Sequence, residues 1–144
     1  MAASPRHNPA ACHSEGRLLC GRYERFSRLQ SLGKAHEFVL DTYRVTSTFP
    51  KHELFGLVSQ MRRCSSSIPA NIAEGCGRLG NSELHRFLQI SCGSANEMEY
   101  HLLLAKDLGY LPEVEYVVLD AKLAEMKRML VALTRKVGSE RKSN

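Results

Sequence analysis

Read by the spacing of its apolar positions, the chain divides into four long helical segments. The first is predicted from about Ser27 to Ser47, with Leu29, Leu32, Val39, Leu40 and Tyr43 as its apolar face. Gly33 weakens this helix and Phe49-Pro50 ends it. The second is predicted over 51–78, where Leu54, Leu57, Val58, Met61, Ser65, Ile68, Ile72 and Cys76 share one stripe. A third starts near Asn81, a residue type that caps helices well, and runs to Leu108. Its stripe is Leu84, Phe87, Leu88, Ser91, Ala95, Met98, Leu102 and Ala105. "LGYLP" then supplies a glycine to end that helix and Pro112 near the first turn of the next. The fourth has the most regular pattern. Tyr116, Leu119, Leu123, Met126, Leu130, Leu133 and Val137 alternate spacings of three and four, the seam of coiled-coil-like packing.

No alternating β-branched run competes with these segments, so the expected fold is all-α. Short loops between long amphipathic helices make an antiparallel up-down-up-down four-helix bundle over residues 26–137. Residues 1–25 lack periodicity and read as a disordered N-terminal extension, and residues 138–144 as a basic tail.

One stretch of the second helix, "SSSIPANIAEG" from Ser65 to Gly75, combines helical phase with a proline. Pro69 lies off the apolar stripe, lacks an amide donor and crowds the carbonyl of Ser65. Hydroxyls at Ser65, Ser66 and Ser67 are placed to satisfy nearby backbone groups. The stretch therefore reads as one continuous helix kinked at Pro69 rather than two helices. Arg63, Ser67, Ala70, Glu74 and Gly77 fall opposite the stripe. Small residues there suit close approach by another helix, an oligomer interface; the alternative is a lightly decorated surface.

Composition changes the picture little. A chain of 144 residues fits one domain with a real core. No run is apolar or long enough for a signal peptide or membrane span, so a cytoplasmic protein without membrane partners is expected. Five cysteines (Cys12, Cys20, Cys64, Cys76 and Cys92) form no CxxC pair, which argues against a disulfide framework or zinc ribbon and favours reduced, mostly buried thiols. The net charge of +5 is concentrated in the tails. Residues 1–28 hold five Arg/Lys against two acids and residues 135–144 four against one, while 29–134 is close to balance. Basic tails can bind polyanions without sequence preference, but they are also commonly just solubilising.

"FGLVSQMRRCSSSIPANIAEGCGR" and "LHRFLQISCGSANEMEYHLLLAKDLGYL" resemble the four-helix-bundle family of proteins encoded in 23S rRNA intervening sequences, the S23 family. The accessory variability proteins of diversity-generating retroelements resemble the same family. The resemblance covers about residues 26–137. It implies a protomer that assembles into a ring-like pentamer, with roles that involve RNA or, in the retroelement branch, a reverse transcriptase and nucleic acid. It also implies that Arg62, Arg63 and Arg78 are the basic, nucleic-acid-binding positions. The chain departs from the family at Leu32-Gly33, where tryptophan and glutamine usually precede "KA".

Enzyme chemistry finds no purchase in the sequence. A di-iron bundle needs a Glu-x-x-His motif on each of two helices, whereas Glu97 and His101 are four apart and occur once. His36, His52, His85 and His101 read as surface or helix-end residues rather than metal ligands. No phosphate loop, nucleophile elbow or carboxylate pair is present, and "GCGRLG" follows a helix and reads as a turn. The expectation is a non-enzymatic protein without cofactor or metal. Two function classes remain: an oligomer associated with RNA or DNA backbones, or a structural, protein-binding oligomer whose arginines pair with acids such as Glu74, Glu97 or Glu99.

Overall fold

In the computed structural model, residues 11–141 are described, with side chains from 28 to 140. Four helices form a bundle: α1 (Ala11–Thr46), α2 (Leu57–Gly77), α3 (Asn81–Asp107) and α4 (Glu113–Arg141), with a short 3-10 turn at Lys51–Glu53 before α2. α1 extends N-terminal of the predicted start at Ser27; the remainder of the expected extension, residues 1–10, lies outside the described residues, as do 142–144 of the tail.

Each helix packs on two neighbours, α2 and α4 flanking both α1 and α3. The cross-helix contacts run in opposite order along each pair. On α2 and α3, Cys64 meets Met98, Ile68 meets Ser91 and Gly75 faces Leu84. On α3 and α4, Lys106 lies over the Tyr116 ring while Cys92 reaches Thr134. Lys34–Glu125 and Arg44–Glu115 give the same sense to α1 and α4. Successive helices are therefore antiparallel.

The core confirms the α4 seam, with Leu119, Leu123, Met126, Leu130, Leu133 and Val137 all buried and Tyr116 packed at its margin. The α3 stripe is buried from Leu84 to Ala105, with Phe87 half-buried. Gly109, at φ +77, donates to the carbonyl of Lys106 and turns the chain out of α3, and Pro112 precedes α4.

α1 corrects the sequence reading. Its buried face is Ser31, Ala35, Phe38, Thr42, Val45 and Thr46, while Leu29, Leu40 and Tyr43 are exposed. The buried threonines turn their hydroxyls onto the helix itself: Thr42 donates to the carbonyl of Phe38 at 2.9 Å and Thr46 to that of Thr42 at 2.7 Å. With the hydroxyls satisfied, these side chains serve the core as small apolar groups, a role that an apolar count assigns to leucine and tyrosine instead.

α2 differs at both ends. Gly56 (φ −101, ψ −116) interrupts the predicted helix, and α2 starts at Leu57, whose amide donates to the Glu53 carboxylate at 3.0 Å. Leu54 is consequently exposed. At the other end Gly75 takes the buried position and Cys76 is exposed, because α2 comes so close to α3 there that only a hydrogen fits. Between these ends Pro69 sits inside one continuous helix. Ser65 and Ser66 donate to the carbonyls of Arg62 and Arg63, both at 3.1 Å, as the serine run implies. Ser91 of α3 adds a bond at 2.9 Å to the carbonyl of Ile68, immediately before the proline.

Candidate assembly and nucleic-acid face

The outer face of α2 exists because its inner stripe is fully used. With Leu57, Val58, Met61, Cys64, Ser65, Ile68, Ile72 and Gly75 turned into the bundle, the residues between them must face outward. Ala70, Ala73, Glu74 and Gly77 are exposed there. Together with Arg78 they line an open depression of about 510 Å³. Leu79, directly after it in the chain, is wholly exposed. Ser67 does not belong to this open face. Its hydroxyl lies 2.9 Å from that of Ser94 on α3 and accepts a bond from the Asn71 amide at 3.0 Å, which ties it into the α2–α3 contact.

The three arginines do not form one patch. Arg62 is turned to α1: its Nε donates to the Thr46 hydroxyl at 2.9 Å and its guanidinium lies 4.7 Å from the centre of the Tyr43 ring. Arg63 reaches across to α3, where it donates to Glu97 at 3.2 Å, and it also donates to Gln60 on its own helix at 2.9 Å. Arg78 pairs with Glu74 one turn back and lies 5.5 Å from the Phe87 ring centre. Arg63 and Arg78 stand about 20 Å apart along α2 at ~1.5 Å per residue. Their side chains remain 67% and 51% exposed, so both ion pairs stay open to exchange with other anions. Glu99, another acid considered for these arginines, is held instead by Lys127 of α4 at 2.7 Å.

The thiols and histidines divide by environment. Cys64 is buried, Cys92 half-buried and Cys76 exposed, and all three are free, so burial is less general than expected. Burial, reinforced by the nearby Glu97 carboxylate, pushes the Cys64 thiol up to about 11. His36 and His52 are exposed, His85 half-buried. His101 departs from the surface reading: its side chain is only 14% exposed.

An all-helical bundle with a smooth outer helix face, and no described helix long and apolar enough to cross a membrane, is the class of molecule these features define. The chain belongs to the 23S rRNA-intervening sequence protein family, whose profile matches residues 27–132. Its fold is similar to the crystal structure of a protein of unknown function from the S23 ribosomal protein family of Bacteroides thetaiotaomicron VPI-5482. The TM-score is 0.71 at 23% identity, covering 76% of this chain and 98% of that one. Among curated proteins, none matches this chain.

Proposed function

We infer that this protein is a non-enzymatic, homo-oligomeric bundle that assembles through the outer face of α2 and associates with nucleic-acid backbones at Arg63 and Arg78. The observation that carries the reading is the depression floored by Ala70, Ala73 and Gly77, beside a Leu79 side chain with no cover in the protomer. Small side chains let a second helix approach closely, and an exposed leucine at the rim supplies apolar area to bury. A pentamer is the assembly that the family resemblance implies, and a reverse transcriptase is the partner in its retroelement branch. The reading includes a cytoplasmic location, where the free thiols stay reduced.

Light scattering on the full chain is expected to give a mass above a dimer at micromolar concentration. Ala70→Arg should reduce that mass to the monomer while leaving the helical circular dichroism intact. A monomeric wild type, or an Ala70→Arg variant that stays assembled, overturns the interface.

Nucleic-acid association has its own test. If Arg63 and Arg78 contact phosphates, replacing both with glutamine should lower the slope of log affinity against log salt by roughly 0.7–0.9 per arginine. The paired state of these arginines favours the second reading, a purely structural or protein-binding oligomer, since each already has a carboxylate partner. An unchanged salt slope in the double variant selects that reading.

Pro69 enters the proposal as the residue that sets a kink and so shapes the outer face. Pro69→Ala restores an amide and relieves the crowding of Ser65, a local gain of up to ~3 kcal/mol. The variant is expected to melt no lower than the wild type but to show an altered oligomer distribution by light scattering. An unchanged distribution would make the kink incidental to assembly.

A further inference from the structure

We propose that Cys64, Glu97 and His101 form a binding site for one divalent transition-metal ion of the zinc class. The site lies between α2 and α3. Glu97 and His101 are four residues apart on α3, so they share a face, and the packing of α2 brings Cys64 opposite them. The Cys64 sulfur, a Glu97 carboxylate oxygen and a His101 ring nitrogen all lie within 4.8 Å of one another. His101 Nε2 and Glu97 Oε1 are 3.6 Å apart. Around zinc, with bonds of ~2.0–2.3 Å, tetrahedral ligand atoms stand roughly 3.3–3.8 Å apart. The three donors therefore need to draw in by about an ångström, within reach of side-chain rotation alone.

His101 provides the second observation. Both of its ring nitrogens are buried and neither has a hydrogen-bond partner. A neutral imidazole carries one donor and one acceptor, and burying both without partners is costly. Coordination through one nitrogen removes part of that cost and gives the ring a use that the bundle itself does not. The donor set of thiolate, imidazole and carboxylate matches zinc and disfavours magnesium or calcium, which take oxygen ligands.

The surroundings are compatible with an ion. Glu97 is 43% exposed, which leaves a path from solvent. Arg63 donates to the same carboxylate at 3.2 Å, at the exposed edge of the cluster. Tyr100 packs its ring 5.8 Å from that of His101, and Met98 brings its sulfur 3.4 Å from the Cys64 sulfur. On coordination the Cys64 thiol passes its proton to solvent and binds as thiolate. Three protein ligands leave the fourth position to water or to an incoming group. The site is independent of the assembly reading, and its test does not depend on oligomer state.

Cobalt(II) is the probe, titrated into the full chain with Cys12 and Cys20 replaced by serine so that the N-terminal thiols do not compete. One equivalent is expected to produce a near-ultraviolet thiolate-to-cobalt absorption and visible bands of tetrahedral intensity, both abolished by zinc. Cys64→Ser should eliminate the thiolate band, and His101→Gln should weaken binding by about 100-fold or more. Zinc is expected to raise the melting temperature of the parent, and Glu97→Gln, at a half-exposed position, should weaken cobalt binding and lose that rise. Cys76→Ser should bind as the parent does. No thiolate band in the parent, the same band in Cys64→Ser, or an affinity equal to the parent's in Glu97→Gln or in His101→Gln overturns the site.

Discussion

Leu123→Ala is expected to destabilise the bundle by ~2–5 kcal/mol, a large part of the ~5–15 kcal/mol that holds a domain of this size together. Leu123 is fully buried in the middle of the α4 seam, between Leu119 and Met126. Truncation removes apolar area from a position that faces the other helices and leaves a void that long, regular helices collapse into only partly. Urea unfolding followed by circular dichroism measures the change directly, and the slope against urea should be unaltered. Val118→Ala on the exposed side of the same helix provides the contrast. Val118 is 49% exposed, and its truncation should fall within ~0.5 kcal/mol of the parent. A loss below ~1 kcal/mol for Leu123→Ala would mean that α4 packs more loosely than its spacing requires.

The second large effect is expected at Gly75. A Cβ there would stand 3.0 Å from Leu84 Cδ1, 3.0 Å from Phe87 Cβ and 3.5 Å from Leu84 Cα. Leu84 Cδ1 can rotate aside and Leu84 Cα is at ordinary contact distance, but Phe87 Cβ belongs to the stem of α3, which side-chain rotation cannot move. Gly75→Val must therefore push α2 away from α3 at the end where Arg78, Leu79 and Gly80 connect them. The expected loss is ~1–3 kcal/mol, after any gain from replacing glycine within a helix. Gly93→Ala separates the two contributions. Nothing lies within 4 Å of a Cβ at Gly93 in α3, so alanine there is expected to stabilise by ~0.5–1 kcal/mol. Opposite signs at the two glycines, read from denaturant midpoints, would establish helix approach as the reason for Gly75. Equal signs would remove it.

The metal inference and the assembly proposal draw on opposite sides of α2. Cys64 is turned into the α2–α3 contact, whereas Ala70, Ala73 and Gly77 face away from the bundle. Loss of cobalt binding in Cys64→Ser and loss of assembly in Ala70→Arg are therefore expected to be separable.

How much was legible in the chain differs from helix to helix. In α3 and α4 the apolar residues recur at three and four, Ser91 is the one hydroxyl on the inner stripe of α3, and the buried set follows directly from helical periodicity. The end of α3 was legible for a local reason as well, since glycine adopts the positive φ of Gly109 without steric cost. α1 carries the same three-four spacing, from Ser31 through Ala35, Phe38 and Thr42 to Val45, but in serine, alanine and threonine as much as in larger apolar residues. Leu29, Leu40 and Tyr43 lie elsewhere on the helix, whereas Leu32 is half-buried against the core as its spacing predicts. A helix does not decide alone which side is buried; the surfaces of α2 and α4 decide it, and satisfied hydroxyls make the small residues acceptable inside.

The same division runs through the candidate sites. The pairing of Arg78 with Glu74 and the shared face of Glu97 and His101 are spacings of four, written in the sequence itself. The partners that come from another helix are not. Arg63 reaches Glu97, Arg62 reaches Thr46 and Cys64 joins Glu97 and His101 only because α2 packs antiparallel to its neighbours in one register. Gly75 is a position at which α2 and α3 approach closely, and no local pattern marks it out from Cys76. Periodicity by itself determined four helices and the inner faces of two; the choice of face in α1, the ends of α2 and every cross-helix pair were decided by packing, because each depends on what a second helix presents at the same height.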